Sequence, residues 1–238
     1  PQGDMSRLWI LLPALLLAAC TTQDKHRDPP ADPLDSAAPH LKTEEIHADL
    51  IQQMLDKRQY YAALAHIEDQ KRSGSNDQLS LLEADARRHL GQQAQAEALY
   101  RGLLNSQYAA QAYHGLGMLY VDSDLDGAIR NLRHAVERAP TNVDFRNDLG
   151  YALMTAGRYT EAMPELSTAA ELAPAQTRSQ KNLIILWLVV GGKENDAAAQ
   201  KMAQGLNISP EEMRQLRGSA QEIRSKQIAR AAKPAGQR

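Results

Sequence analysis

The feature that most constrains the fold is an internal repeat with a period of about 34 residues. Two segments match in detail, one running from Leu116 to Pro140 and the other from Leu149 to Pro174. In each, an alanine is followed by leucine four positions later, by alanine seven positions later and by proline twelve positions later. These leading alanines, Ala128 and Ala162, are 34 residues apart. A repeat of this length indicates a solenoid, in which copies of one supersecondary unit stack on their neighbours.

Weaker copies of the pattern flank this central pair. Ala63, Ala96 and Ala197 extend the series, so that successive alanines are 33, 32, 34 and 35 residues apart. The repeat therefore covers roughly residues 44–206 and predicts about five units.

Each unit has two apolar-periodic stretches separated by a glycine-containing turn. In the best copy these are Leu149 and Leu153, then Ala162, Leu166 and Ala169, with the spacing of one helical face. The central region is rich in Ala, Leu, Gln and Arg, which favours helix over strand. Each unit is therefore predicted to be a helix hairpin, and the chain to be all-α.

Glycines and prolines refine this prediction. Gly117 and Gly150 should allow two helices to approach closely, and a bulkier residue there should cost about 1–3 kcal/mol. Pro174 should end a second helix, since proline donates no backbone hydrogen bond. Pro164 falls inside a second helix, which is acceptable if Thr160 is the N-cap and Pro164 is the fourth residue.

The repeat resembles the tetratricopeptide repeat (TPR), most specifically in its two central copies. This resemblance implies that the first helix of each hairpin lines a concave, partner-binding face and that the second helix forms the convex back. Asn182 matches a position where TPR proteins often hold a peptide backbone. The concave residues implied by the matched positions are His114, Met118, Val121, Asn147, Asp148, Tyr151, Met154, Lys181, Asn182 and Ile185.

The C-terminal region predicts a capping helix and tail over residues 207–238. Ser209 is a good N-cap because Pro210 follows it at the first helical position and Glu212 stands at the third. Before it, residues 183–190 are apolar without interruption. A helix that is apolar all round is buried on every side, so either the C-terminal helix or a partner should cover this stretch.

The N-terminus has the layout of an export signal. Arg7 precedes twelve apolar residues, 8–19, which are too few to span a bilayer. They run directly into Cys20, the single cysteine of the chain, and this arrangement resembles the bacterial lipoprotein box. The resemblance implies a signal peptide over residues 1–19 and covalent lipid on Cys20. Thr21, where aspartate would imply retention in the inner membrane, favours the periplasmic face of the outer membrane.

Two further segments complete the predicted organisation. Residues 1–4 precede the first methionine and are set aside as upstream or non-native. Residues 20–43 contain the lipidated cysteine and four prolines, which predict an extended, flexible tether ahead of the solenoid.

Composition and motifs argue against several functional classes. A formal net charge of −2 provides no cationic field for nucleic acid. One cysteine cannot form a disulfide framework, and no HExxH helix or GxSxG elbow is present. Asp122, Asp124 and Asp126 resemble half a calcium loop, but Arg133 stands where the twelfth-position glutamate belongs. We therefore expect no enzyme activity, no metal, no small-molecule substrate and no cofactor beyond the lipid.

The whole layout resembles the TadD-like TPR lipoproteins of tight-adherence (Tad/Flp) pilus assembly. That resemblance implies a pilotin-like role, in which the chain binds the secretin, localises it in the outer membrane and promotes its multimerisation. A type IVa pilus pilotin and a general periplasmic envelope adaptor are the alternatives. A partner segment could bind as an added helix or as an extended strand.

Overall fold

The computed structural model describes the fold of residues 33–232, with side-chain surroundings from residue 45 onward. The predicted signal peptide and Cys20 lie outside the described residues. Within residues 33–232 the chain forms α-helices and no strand. Their bounds are α1 Pro33–Asp56, α2 Tyr60–Ser73, α3 Asp77–His89, α4 Gln93–Gly102, α5 Ala109–Tyr120, α6 Leu125–Arg138, α7 Val143–Thr155, α8 Tyr159–Leu172, α9 Thr177–Val190, α10 Lys193–Gly205 and α11 Pro210–Ala231.

The helices pair in chain order into five hairpins, from α1–α2 to α9–α10, and α11 follows alone. Of the described residues, 43–232 make up one compact unit. The predicted fold class, an all-α solenoid of about five hairpins with a C-terminal capping helix, is confirmed.

Helix α1 begins earlier than the sequence pattern indicated. We predicted an extended tether up to residue 43, whereas residues 33–43 form the first part of α1. Pro33 occupies the first helical position, where proline is tolerated because that amide has no intrahelical partner. Pro39 is the seventh residue of the helix, where it donates no backbone hydrogen bond, and α1 continues past it.

Side-chain caps fix several helix starts. The side chains of Asn76, Asp124 and Asn142 accept hydrogen bonds from backbone amides at the starts of α3, α6 and α7, at 2.8, 2.9 and 3.0 Å. Ser209 accepts the amide of Glu212 at 3.1 Å at the start of α11, which confirms the predicted start of the C-terminal helix.

Close helix approach at the central glycines is confirmed. A Cβ atom on Gly117 would lie 2.6 Å from Cγ of Leu132, and one on Gly150 would lie 2.6 Å from Cγ of Leu166. Real carbon atoms do not approach this closely, so each hairpin is closed by a glycine on its first helix and a leucine on its second.

The prediction about Pro164 was wrong in detail. Helix α8 begins at Tyr159, with Arg158 at the N-cap, so Pro164 is the sixth residue of the helix. At this depth proline removes the hydrogen bond to the carbonyl of Thr160. Thr160 and Pro164 are both exposed, and water can therefore bond that carbonyl. The opposite face, with buried Leu166, holds the helix together.

The largest apolar cluster spans α6 to α11. It contains most of the apolar run in α9, including fully buried Ile184 and Leu186, together with Leu216, Ala220 and Ile223 of α11. The C-terminal helix thus covers the apolar run, one of the two possibilities that the sequence left open. Among the helices between residues 33 and 232, none has the length and hydropathy of a membrane-spanning segment.

Candidate functional site

The predicted partner-binding residues lie on α5, α7 and α9, the first helices of three successive hairpins, or directly after α5. We call the surface that these three helices form the first-helix face. Tyr151 is its most open predicted residue, with 38% of its surface exposed. The half-buried members are His114, Met118, Val121, Asp148, Lys181 and Asn182.

Three of the predicted contact residues are buried and do not reach a partner. Asn147, Met154 and Ile185 are only 1%, 0% and 6% exposed. Met154 and Ile185 pack within the largest apolar cluster. The resemblance to TPR proteins placed them on the first helices but could not show that a later segment of the chain covers this part of the face.

A polar network centred on Asp148 joins the three helices. Nε2 of His114 donates to Oδ2 of Asp148 at 2.8 Å, linking α5 to α7. Arg178 of α9 donates to Oδ1 of the same carboxylate, and the side-chain amide of Asn147 does so at 3.2 Å. The network fixes the spacing of three hairpins through contacts between residues about one repeat apart.

Asn182 of α9 also belongs to this network. Its Nδ2 donates to Oδ1 of Asn147 at 2.8 Å, so this amide holds α9 against α7. Its predicted role in binding a peptide backbone stays a prediction. The structure adds that Asn182 also has a structural role, since a buried amide oxygen on Asn147 depends on it.

Asp148 remains ionised in this setting. Burial by itself raises the pKa of the carboxyl group, but the hydrogen bond from His114 and the charge of Arg178 outweigh it and lower the pKa below the ordinary 3.8. A buried carboxylate with all these donors is a structural group, and it is not poised as a general base.

Helix α11 lies across part of the first-helix face. It packs against α9 and α7. Nε of Arg224 donates to the carbonyl of Val189 at 3.0 Å, at the C-terminal end of α9. Nε2 of Gln227 donates to the carbonyl of Met154 at 2.9 Å, and Nη1 of Arg230 to that of Thr155 at 2.9 Å. The side chains of α11 therefore cap the carbonyl ends of two first helices.

These three residues were not predicted from the sequence. Arg224, Gln227 and Arg230 recur every three positions, which places them along one side of a helix. That spacing was a signal for a polar stripe. It could not indicate which carbonyl groups the stripe would meet, because those lie 35 to 75 residues earlier in the chain.

Two cavities adjoin the C-terminal half of α11. One, of about 290 Å³, is lined by Val121, Asp122 and Tyr151 on the first-helix face and by Ile223, Lys226 and Arg230 of α11. The other, of about 470 Å³, lies between the turn at residues 122–126, the end of α7 and the last turn of α11. Among the described residues, no group of three His, Cys, Asp or Glu side chains is arranged to hold a metal ion.

Comparison with known proteins assigns the repeat. A family model described as "Tetratricopeptide repeat" matches residues 122–183. The chain is also similar to the TPR repeat-containing protein PA4299 of Pseudomonas aeruginosa. The two are 32% identical over 174 residues, covering 72% of this chain and 68% of that protein.

Solved structures agree on the fold. The thermophilic TPR protein TTC0263 of Thermus thermophilus superposes with a TM-score of 0.58, covering 76% of this chain and 98% of that one at 19% identity. MamA from Desulfovibrio magneticus RS-1 gives a TM-score of 0.54, with 72% and 95% covered at 16% identity. At these identities the likeness concerns the fold alone. The relative, the family model and the shared fold together show that the chain belongs to the tetratricopeptide-repeat proteins.

Proposed function

We propose that this protein is a lipid-anchored scaffold of the outer membrane that binds the secretin of a Tad (Flp) pilus and promotes its localisation and multimerisation. The observation that carries the binding role is the first-helix face, where exposed Tyr151 and half-buried Val121 border a cavity. An exposed aromatic side chain beside an open cavity is a typical contact for a protein partner.

The chemistry of the face supports binding and not catalysis. The buried carboxylate of Asp148 is taken up by His114, Arg178 and Asn147, so it is not available as a base to a molecule bound on the face. TPR folds typically serve as scaffolds, and this face offers a partner shape, apolar area and hydrogen bonds.

The sequence supports the membrane anchor. Cys20 directly follows the apolar stretch of residues 8–19. A single acyl chain gives only marginal membrane binding, whereas two or more hold a protein stably. Attachment at the first mature residue would keep the solenoid at the membrane, where a secretin has to be assembled.

The secretin is proposed from the overall layout of lipid box, proline-containing segment and five hairpins. The similar Pseudomonas protein is named only for its repeats, so the partner has to be identified by experiment. The test is affinity purification from detergent-solubilised envelopes, comparing the native chain with Tyr151→Ala. Tyr61→Ala is the matched control, since Tyr61 is even more exposed but lies on α2, away from the first-helix face.

We expect the native chain and the control to recover a secretin in similar amounts. Tyr151→Ala should recover several-fold less, with an unchanged melting temperature, since removal of an aromatic anchor at an interface costs about 2 kcal/mol or more. Recovery of peptidoglycan hydrolases without a secretin would contradict the Tad assignment and favour the envelope adaptor.

The anchor has its own test. Cys20→Ser should leave a folded protein that no longer sediments with membranes, because the thiol that carries the lipid is absent. Metabolic labelling with a radioactive fatty acid should mark the native chain but not the variant. Unchanged sedimentation of Cys20→Ser would refute the anchor.

A further inference from the structure

The two halves of α11 are attached to the solenoid in different ways. Its first half is held by apolar burial, since Leu216, Ala220 and Ile223 all belong to the largest apolar cluster. After Ile223, α11 has no further buried residue. Ile228, the remaining large apolar side chain, is 70% exposed. The last two turns, residues 224–231, are therefore held mainly by polar contacts.

Those polar contacts go to the ends of two first helices and to Tyr159 at the start of α8, whose hydroxyl donates to Oε1 of Gln227 at 2.7 Å. Arg224 donates to the carbonyls of Leu188 and Val189. Gln227 donates to the carbonyls of Met154 and Thr155, at 2.9 and 3.4 Å. The C-terminal end of a helix carries a partial negative charge and unpaired carbonyl groups, so it favours cations and amide donors. Main-chain carbonyls are present whatever the sequence, and any helix with suitably spaced donors meets the same set.

The same two turns stand beside open space. The cavity of about 290 Å³ lies between α11 and the residues Val121 and Tyr151, and that of about 470 Å³ lies beside Gln227 and Arg230. Asp122 lines both cavities, and Asp124 and Asp126 line the larger one. The cations that line the same cavities, Lys226 and Arg230, belong to α11 itself. When the last two turns of α11 are displaced, the remaining walls carry these carboxylates, so they favour a basic segment.

We propose that residues 224–231 occupy the binding site of a partner helix and that the partner binds by displacing them from the ends of α7 and α9. The partner segment is an amphipathic helix with an apolar residue for the cavity beside Val121 and Tyr151. Arginine, lysine or glutamine side chains on it meet the carbonyls that Arg224, Gln227 and Arg230 now occupy. This inference rests on the proposed binding role and names the class of segment that is bound.

The energetics allow such an exchange. The hydrogen bonds from Gln227 are neutral and contribute modestly, whereas those from the guanidinium groups of Arg224 and Arg230 contribute more, but water replaces all of them when the helix detaches. Apolar burial of the first half of α11 remains in place, so displacement of the last two turns does not uncover the core. The tethered segment nevertheless competes strongly, because a covalent linker gives it an effective concentration of about millimolar order.

The test uses the full chain and a fluorescein-labelled peptide of residues 224–232 as the probe. In the release variant, Gln227→Ala with Arg230→Ala, the resident turns lose their bonds to α7 while Leu216, Ala220 and Ile223 stay unchanged. The matched control is Arg214→Ala with Arg217→Ala, which removes two exposed side chains from the first half of the same helix. Fluorescence anisotropy measures the affinity of each chain for the probe.

We expect the release variant to bind the probe about tenfold or more tightly than the native chain, since several hydrogen bonds of the competing segment are lost. The control should stay within about twofold of the native chain. Equal affinities in all three chains, or no binding to the release variant, would overturn the proposal. Formation of dimers that exchange α11 would also overturn it, because the occupant would then be a second copy.

A measurement on the native chain guards against a misfolded variant. Native-state hydrogen exchange should show the amides of residues 224–231 opening more readily than those of residues 216–223 and of α9. Uniform protection along α11 would contradict a displaceable second half.

The proposed function fails independently of this inference. If the release variant captures the probe but envelope purification yields no secretin, the displacement model stands and the secretin assignment falls. If the native chain and the release variant recover the secretin equally and the probe does not compete, the secretin assignment stands and the displacement model falls.

Discussion

Hairpins α3–α4 and α7–α8 share one layout but are closed by different contacts. In α7–α8, Leu166 occupies the space above Gly150 of its own hairpin. In α3–α4 the corresponding large residue is Tyr100, four positions after Ala96 as Leu166 is after Ala162. Tyr100 reaches into the next hairpin, where a Cβ atom on Gly115 would lie 2.3 Å from its ring.

Polar groups complete the contrast. The hydroxyl of Tyr100 donates to Oδ1 of Asp85 at 2.5 Å, and burial raises its pKa. Nearby, the buried carboxylate of Glu83 pairs with Lys71 of α2 and with Arg87. The weaker repeat signature of this hairpin therefore reflects a different packing scheme, in which Tyr100 and its hydrogen bond to Asp85 take the place of the Gly150–Leu166 contact. A degenerate repeat is here a different solution to the same geometry.

The largest expected effect on stability comes from the apolar contact between Leu166 and Gly150. Leu166→Ala should lower the free energy of unfolding by about 3–4 kcal/mol, because it removes a fully buried side chain and leaves a cavity against Gly150. Chemical denaturation measures this value. Leu172→Ala, in the same helix but 44% exposed, should change the free energy by less than about 1 kcal/mol. Similar losses for both variants would show that Leu166 does not close the hairpin.

Loss of the buried charge of Glu83 should have a smaller but measurable effect on the free energy of unfolding. Glu83→Ala should lower the free energy of unfolding by about 2 kcal/mol, since it leaves Lys71 and Arg87 without their shared partner. The side chain of Lys71 is 30% exposed. Water can therefore hydrate its ammonium group in the variant, and this reduces the loss of stability. Glu222→Ala removes an exposed pair with Lys226 and should leave the denaturation midpoint unchanged. A midpoint shift as large as that of Glu83→Ala would contradict a special role for the buried carboxylate.

The same substitution should have opposite signs at two glycines. Gly150→Ala should destabilise by about 1 kcal/mol, because overpacking against Leu166 exceeds the gain in helix propensity. Gly218→Ala in α11 meets no atom within 4 Å and should stabilise by about 0.5–1 kcal/mol through helix propensity. Thermal unfolding of the two variants tests the difference. Stabilisation by Gly150→Ala would show that the hairpin can open to accept a methyl group.

The smallest expected effect is a loss of stability at acidic pH. Burial raises the pKa of Glu83, but hydrogen bonds from Lys71 and Arg87 outweigh it and lower the pKa below the ordinary 4.5. The pKa of Asp148 is also lowered, from 3.8. A carboxyl group whose pKa is lower in the folded than in the unfolded state stabilises the fold at a pH above its unfolded-state pKa. This contribution is lost as the pH falls through the folded-state pKa. Stability should therefore decline below about pH 4.5.

The variant Glu83→Gln should reduce this acid dependence, as measured by denaturation at about pH 7, 4 and 3. Glu222→Gln is the control, because its carboxylate is exposed and screened by solvent. An acid dependence that is the same in the native chain and in Glu83→Gln would contradict the contribution of the buried carboxylate.

The sequence by itself determined the helix hairpins and where the second helices end. Their period, the closing pairs Gly117–Leu132 and Gly150–Leu166, and the cap at Ser209 are all local, since each depends on residues less than one repeat apart. Local spacing is what a helical pattern encodes, so these features could be predicted without the tertiary structure.

Only the tertiary structure decided what covers the first-helix face. The resemblance to TPR proteins implied that Met154 and Ile185 face a partner, whereas both are buried in the cluster to which α11 contributes. The bond from Arg230 to the carbonyl of Thr155 joins residues 75 apart. A main-chain carbonyl has no side-chain identity, so no sequence pattern marks it as the acceptor. The physical reason is that burial is a property of the assembled chain, while helix formation is a property of neighbouring residues.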